Sequence, residues 1–394
     1  MLIDKITIKN YKVIKELEIS ELNRPTFIVG GSETGKSSFC EALEFLRLGM
    51  SNKLSLLRNT FARNGVNYLT SADGDEETLI EFMISGRDKA VETFNFEYTL
   101  RLHEPNNRYE LLIEEEKLVA RDKKSDETYT TLEFDGKTVN AILNPFSGSS
   151  SKAGRDQKQR YTNMAINPDL LTLPIFGGYK SEVISPLNRC LKDFCVYSFN
   201  PHKLINRDQG NDQNLAPDGS NLLPLLFRFQ ESERQTFTGI ISAIKSLYQD
   251  IENLVVEKGP ESRFLLRIER KNPNLPVYDA AGEGLLRILS LLCLLRQPQP
   301  YSLLLIDCPE TGLDRAGKAL AARELVEYGS RGNRLIAATN SERLLNEVLL
   351  VSPPEKRAQV FQLEKEDGFS HGKRLVPETE SAVYKCGDDI HEQR

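Results

Sequence analysis

The chain of 394 residues has no tryptophan, four methionines, four histidines and six cysteines. It also has no apolar run near the ~18 residues of a membrane span. Membrane insertion is therefore not expected. The opening MLIDKITIKNYK alternates apolar and polar residues and has no signal-peptide core, so the chain reads as cytoplasmic. Cys40 and Cys293 lie in apolar helical runs and read as core residues. Cys190 and Cys195 are close in sequence, but no matching Cys/His pair accompanies them. His103, His202, His371 and His391 are scattered, so neither a disulfide framework nor a zinc site is predicted. A net charge of −6 argues against a protein that coats nucleic acid over its whole surface, while leaving room for a local basic patch.

What is present begins at Gly30-Gly31-Ser32-Glu33-Thr34-Gly35-Lys36-Ser37, followed by Ser38. This fits G-x-x-x-x-G-K-[ST], a loop whose backbone N–H groups cradle phosphates at a helix N-terminus. Thr26 to Val29 reads as the buried strand before it, and Phe39 to Leu48 as the helix after it. In such a loop Lys36 reaches the β- and γ-phosphates and the Ser37 hydroxyl ligates Mg²⁺. ATP and Mg²⁺ are thus the expected cofactors. Tyr301 to Asp307 is a largely apolar strand ending in an acid, the pattern that delivers a carboxylate, Asp307, to the metal. A helix over about 316–328 and a second buried strand, Leu335 to Thr339, complete a doubly wound α/β pattern.

Before and between the two halves, strands are predicted at Leu2–Ile8, Lys15–Ile19, Thr78–Ile84, Glu92–Leu102, Tyr109–Ile113 and Thr130–Phe134. Asp135-Gly136 signals a type I′ hairpin. Residues 51–76 read as irregular. Ile184, Leu187, Leu191 and Phe194 keep helical spacing, Cys195 to Phe199 reads as a strand, and Phe237 to Val255 reads as an amphipathic helix of about five turns. Phe264 to Ile268 is a strand, and Glu364 to Arg394 a polar tail. The chain divides into 1–160 (a β-rich first lobe with the P-loop), 161–275 (a helical insert) and 276–394 (a second lobe).

The order of these parts resembles the ABC-type ATPase heads of the SMC and OLD group, within the AAA-family ATPases. Ile6 to Lys12 is similar to the family's first strand and its N-F-K turn, and Asp218-Gly219-Ser220-Asn221-Leu222 resembles its D-G-S-N-L segment. Gly282-Glu283-Gly284-Leu285-Leu286-Arg287 lines up with its signature, and Thr339-Asn340-Ser341 with its T-H-S switch. The resemblance implies a P-loop NTPase fold of ABC/SMC-like type. It also implies Lys12 near the nucleotide, and a head-to-tail dimer in which Gly282, Glu283 and Gly284 close over the partner's ATP. Three positions depart from the family pattern. Cys308 stands in the place of the glutamate that polarises water, Asn340 in that of the switch histidine, and Gly282 in that of the signature serine. Glu310 is the nearest substitute acid. Binding residues are kept and hydrolytic ones eroded, which implies a slow ATPase.

Two roles follow from the resemblance. One is an ATP-gated scaffold or sensor, self-associating as a dimer or higher oligomer and controlling a separate effector such as a nuclease or toxin in antiphage defence. The other is a DNA-binding ATPase of repair or maintenance. Lys152, Arg155, Lys158 and Arg160 would supply its basic groove, with Tyr161 as a stacking partner. A transporter subunit fits less well, because no LSGGQ-type signature is present.

Overall fold

In a computed structural model, the described residues are 1–62, 69–70, 79–88, 94–105, 110–143, 159–179, 181–199, 201–204, 214–260, 263–272, 274 and 281–375. The chain begins as a hairpin, β1 (Leu2–Tyr11) and β2 (Ile14–Ile19), then runs through β3 (Thr26–Val29) into α1 (Lys36–Gly49) and α2 (Leu54–Phe61). A meander follows: β4 (Ile80–Arg87), β5 (Phe94–His103), β6 (Leu112–Asp122), β7 (Thr128–Phe134), β8 (Thr138–Leu143) and β9 (Gln159–Ala165). Next come α3 (Thr172–Phe176), α4 (Ile184–Lys192), β10 (Phe194–Ser198), α5 (Pro201–Leu204), α6 (Leu222–Ser232) and α7 (Arg234–Leu247). A separate hairpin, β11 (Ile251–Lys258) and β12 (Phe264–Arg270), precedes α8 (Glu283–Arg296). The last part is β13 (Leu303–Asp307), α9 (Arg315–Ser330), β14 (Leu335–Thr339), α10 (Glu342–Val351), β15 (Gln359–Glu366) and β16 (Phe369–Leu375).

Fourteen strands form one sheet in the order β10-β13-β14-β3-β15-β16-β2-β1-β4-β5-β6-β7-β8-β9. The first five are parallel. They are short apolar runs because both faces are covered. Ile28, Leu305 and Ile336 join the core that α1 closes, whereas Phe27, Leu304 and Ala337 join the core closed by α8 and α9. Helices on both faces of a parallel sheet are the doubly wound arrangement predicted. The meander keeps period-2 burial, as in β4 (Ile80, Phe82 and Ile84 inward), and lays salt-bridged ladders such as Lys117–Glu133 on its other face. The segments 1–160, 161–275 and 276–394 interleave in this sheet: β3 lies between β14 and β15, and β10 forms its edge.

Several local expectations are corrected. The helix expected over 237–255 ends at Leu247. Ile251 and Val255 stand in β11, where seven registered pairs with β12 outweigh their helical spacing. Phe194 likewise opens β10 instead of continuing α4. The strand expected at 109–113 starts at Leu112 and runs to Asp122, the charged run Glu114–Lys117 having hidden its alternation. Residues 54–61 of the supposedly irregular stretch are helical. The turn at Asp135-Gly136 is not type I′, since only Gly136 has positive φ. The Asp135 carboxylate instead accepts the N–H groups of Lys137 and Thr138 at 3.0 and 2.8 Å. The polar tail from Glu364 closes β15 and continues as β16, which pairs with β15 and β2; 376–394 lie outside the described residues.

Candidate functional site

The parallel strands all end at one edge, and register sets what meets there. Thr339 pairs with Val29 and Asp307 with Ala338, so the P-loop, Asn340 and Asp307 leave the sheet side by side. At Gly30 a Cβ would stand 2.5 Å from the Thr34 hydroxyl and 2.8 Å from the Leu363 carbonyl oxygen on β15, so glycine alone fits. Glu33 (φ 63°) and Gly35 (φ 90°) are left-handed, which curls the backbone into an anion-cradling concavity at the start of α1. Val13 and Ser370 lean on Gly35 from the β1–β2 turn and β16. Ser32 and Glu33 are exposed, Ser38 half-buried.

Lys36 is buried, and its ammonium donates to the carbonyl oxygens of Gly30 and Gly31 at 2.7 and 2.6 Å. It is thus held inside the curl where phosphates would lie. The Ser37 hydroxyl donates to the Asp307 carboxylate at 3.0 Å, across 270 positions of sequence. A hydroxyl and a carboxylate side by side are the hard oxygen donors that suit Mg²⁺. The residues present therefore fit the nucleotide and its metal.

Beyond Asp307 the chain turns sharply. Cys308 has φ 52°, donates its N–H to Ala338 O at 2.8 Å, and sets its Sγ 3.5 Å from the Asp307 carboxylate. Burial, then the charges of Asp307 and Glu310, push its thiol up to about 12. Glu310 points into the protein. It is buried, it accepts the Thr339 hydroxyl at 2.6 Å, and its other oxygen is buried without a hydrogen-bond partner among the described residues. Burial raises its pKa. Glu310 and Asn340 also line a polar cavity of about 640 Å³ with Lys318 and Arg343.

Gly282, Glu283 and Gly284 form the N-terminus of α8. Among the described residues nothing lies within 4 Å of a Cβ at Gly282, and Gly284 packs against the Gly312 carbonyl. Gly312 (φ 73°) lies over the guanidinium of Arg287, which pairs with Glu283 at 2.7 Å. The signature-like segment therefore sits on the loop after Asp307. Lys12 (φ 51°) pairs with Glu41 of α1 and donates to Phe61 O at 2.9 Å. Tyr161 packs its ring edge-on to Phe176 and Tyr179, each 5.4 Å away. Arg160 is exposed beside it, and Lys152, Arg155 and Lys158 lie outside the described residues. Sequence reasoning missed the Thr339–Glu310 bond, the Val13–Ser370 clamp and the Arg287–Gly312 contact. Only the last left a trace in sequence, a glycine where a loop needs positive φ.

No helix among the described residues is long and apolar enough to cross a membrane. A family model described as "AAA domain, putative AbiEii toxin, Type IV TA system" matches residues 26–346. None of the curated proteins compared matches this chain. Among solved structures, the SMC head bound to the C-winged helix domain of ScpA is similar over 95% of this chain and 98% of that one, at 15% identity and TM-score 0.54. The SMC head domain from Thermotoga maritima (13% identity, 95% and 100% covered, TM-score 0.41) is more distant in shape. So is the Pyrococcus furiosus Smc head bound to the C-terminal domain of ScpA (14%, 95% and 96%, 0.45). The first of these establishes a likeness of fold.

Proposed function

This chain belongs to the AAA-domain family described as putative AbiEii toxin, Type IV TA system, and from that premise we propose that it is a slow ATPase working as an ATP-gated switch. One observation carries the reading. Lys36 held in its loop and Ser37 3.0 Å from Asp307 support a binding apparatus, while a neutral thiol and an amide stand where the family resemblance puts hydrolytic residues.

The backbone of 30–37 and Lys36 would bind the phosphates, and Ser37 and Asp307 would hold Mg²⁺. When bound, the ion neutralises charge on the β- and γ-phosphate oxygens. Asn340 would hydrogen-bond the γ-phosphate as donor but carries no positive charge. Cys308 stays protonated at neutral pH and cannot take the proton of an attacking water. Glu310, tied to Thr339, would act as a positioning acid for the β14 end. ATP would then hold two protomers head to tail through Gly282–Gly284, and γ-phosphate contacts made only in the closed state would supply the bias. The partners we propose are a second copy and a separate effector such as a nuclease or toxin, in a cytoplasmic setting such as antiphage defence.

The test is Mg²⁺-dependent phosphate release beside an ATP-binding assay, with Lys36→Ala as the blank. ATP binding that Lys36→Ala abolishes, with turnover well under about 1 s⁻¹, supports the switch; turnover in the ordinary range of about 1–1000 s⁻¹ overturns it. Salt-dependent DNA binding would favour the alternative role in repair or maintenance.

A further inference from the structure

The parallel strands also have amino ends, and these open on a second cavity of about 430 Å³. Arg189, Asp193, Tyr301, Ser302, Asn333 and Arg334 contribute to its wall. Arg334 is 6% exposed. Its guanidinium reaches Asp4 only at 3.4 Å, and the carbonyl oxygens of Gly332 and Ile3 at 3.1 and 3.3 Å. Asp4 is shared with Arg87, also at 3.4 Å, and the Arg87 Nε is buried without a hydrogen bond. Two guanidiniums thus divide one carboxylate. Neither makes the short contact, ~2.7–2.9 Å, of a charge-assisted pair. Burial first, and then the Arg87 charge, hold Arg334 below the usual arginine range, against the pull of Asp4.

Arg189 adds an exposed guanidinium to the wall and has no ion pair among the described residues. The one lining acid among the described residues, Asp193, accepts the Ser302 N–H at 2.8 Å, and the Ser302 hydroxyl is turned to the Cys190 carbonyl. What remains is a hollow of mixed lining, apolar at Met1, Leu2, Pro186 and Pro300, with two guanidinium forks that match oxyanions in planar, bidentate geometry.

We propose that this cavity binds a small phosphate-bearing molecule, with the phosphate held by Arg334 and Arg189. A bare phosphate would leave most of the volume empty, so the ligand has a body of about nucleoside-monophosphate size, lying along Tyr301. The site is separate from the P-loop. Ser302 immediately precedes β13 and Asp307 ends it, about 17 Å apart at ~3.3 Å per residue. A ligand here would sit at the roots of β13 and β14, whose far ends lead to Asp307 and Asn340.

The experiment uses the full chain carrying Lys36→Ala, so that the P-loop does not take the probe. AMP, inorganic phosphate and malate are titrated by calorimetry at low salt. One saturable equivalent of AMP is expected, with phosphate weaker and malate weaker still. Arg189→Ala, at an exposed position that does not threaten folding, should weaken AMP about tenfold. Arg334→Leu, which replaces a buried charge with an apolar side chain, should do at least as much. Absence of saturable AMP binding overturns the proposal, as does AMP binding that neither variant changes. Malate binding as tightly as AMP overturns the phosphate assignment. Because the P-loop is disabled throughout, none of these outcomes depends on whether the protein is a slow ATPase.

Discussion

Cys308 faces the nucleotide edge of the sheet, and its surroundings make it a poor base. Its thiol, at about 12, keeps its proton across the neutral range, because burial and two carboxylates disfavour a thiolate. Cys308→Glu should raise Lys36-dependent turnover about 100-fold or more, in line with the ordinary ~10²–10⁴-fold contribution of a general base. Steady-state phosphate release checks this, and an unchanged rate would place water activation elsewhere. The sign of the shift also sets the pH profile. An ordinary thiol ionises near ~8.5, whereas this one does not, so the wild-type rate should show no inflection at pH 8–9 that Cys308→Ser removes. A second buried group works only for the fold. Glu116 is fully buried and accepts the N–H groups of Thr172 and Leu173 at the start of α3, the Thr172 hydroxyl at 2.8 Å and the Tyr98 hydroxyl at 3.0 Å. Glu116→Ala would strand these donors and should cost roughly 2–4 kcal/mol in denaturant unfolding. ATP affinity should be unaffected, since none of these partners belongs to the site.

At the scale of elements, the loop between β13 and α9 connects the two halves of the candidate site. Its Gly312 rests on Arg287, and Arg287 anchors the first turn of α8 through Glu283. A Cβ at Gly312 would meet the Arg287 side chain at 2.8 Å in a backbone conformation that L-residues disfavour. Gly312→Ala should therefore strain the loop by about 1–3 kcal/mol and displace the N-terminus of α8. On the reading above, ATP binding by the isolated protomer should stay within about twofold, while ATP-dependent self-association weakens. Calorimetry for the first quantity and light scattering for the second separate the two effects. Elements with their own period were legible, such as β3 and α1 around the P-loop. β11 was not. Ile251 and Val255 fit a helix face as well as a strand face, and only pairing with β12 decides between them.

For the whole molecule, the proposed switch is a statement about mass. Scattering with ATP or a non-hydrolysable analogue should report a doubling or higher multiple, and ADP or Lys36→Ala should abolish it. Gly282→Ser should strengthen the assembly, because no described residue would crowd a Cβ there, leaving room for the hydroxyl the family pattern supplies. An ATP-independent mass would refute the gating.

The amino-acid sequence alone determined the P-loop, the strand that carries Asp307, the doubly wound core and the family resemblance. Each is a local pattern: glycines where backbone must approach phosphate, apolar runs where both faces are buried. Only the tertiary structure decided which distant residues touch. Parallel pairing of β13, β14 and β3 sets Ser37 against Asp307 and draws Glu310 onto Thr339. Pairing of β15 with β3 brings Leu363 over Gly30, and pairing of β16 with β15 sets Ser370, from the polar tail, against Gly35 of the nucleotide loop. The cavity at Arg334 likewise exists only because the starts of β1, β13 and β14 converge, since strand register is fixed by packing between segments that no single stretch of sequence contains.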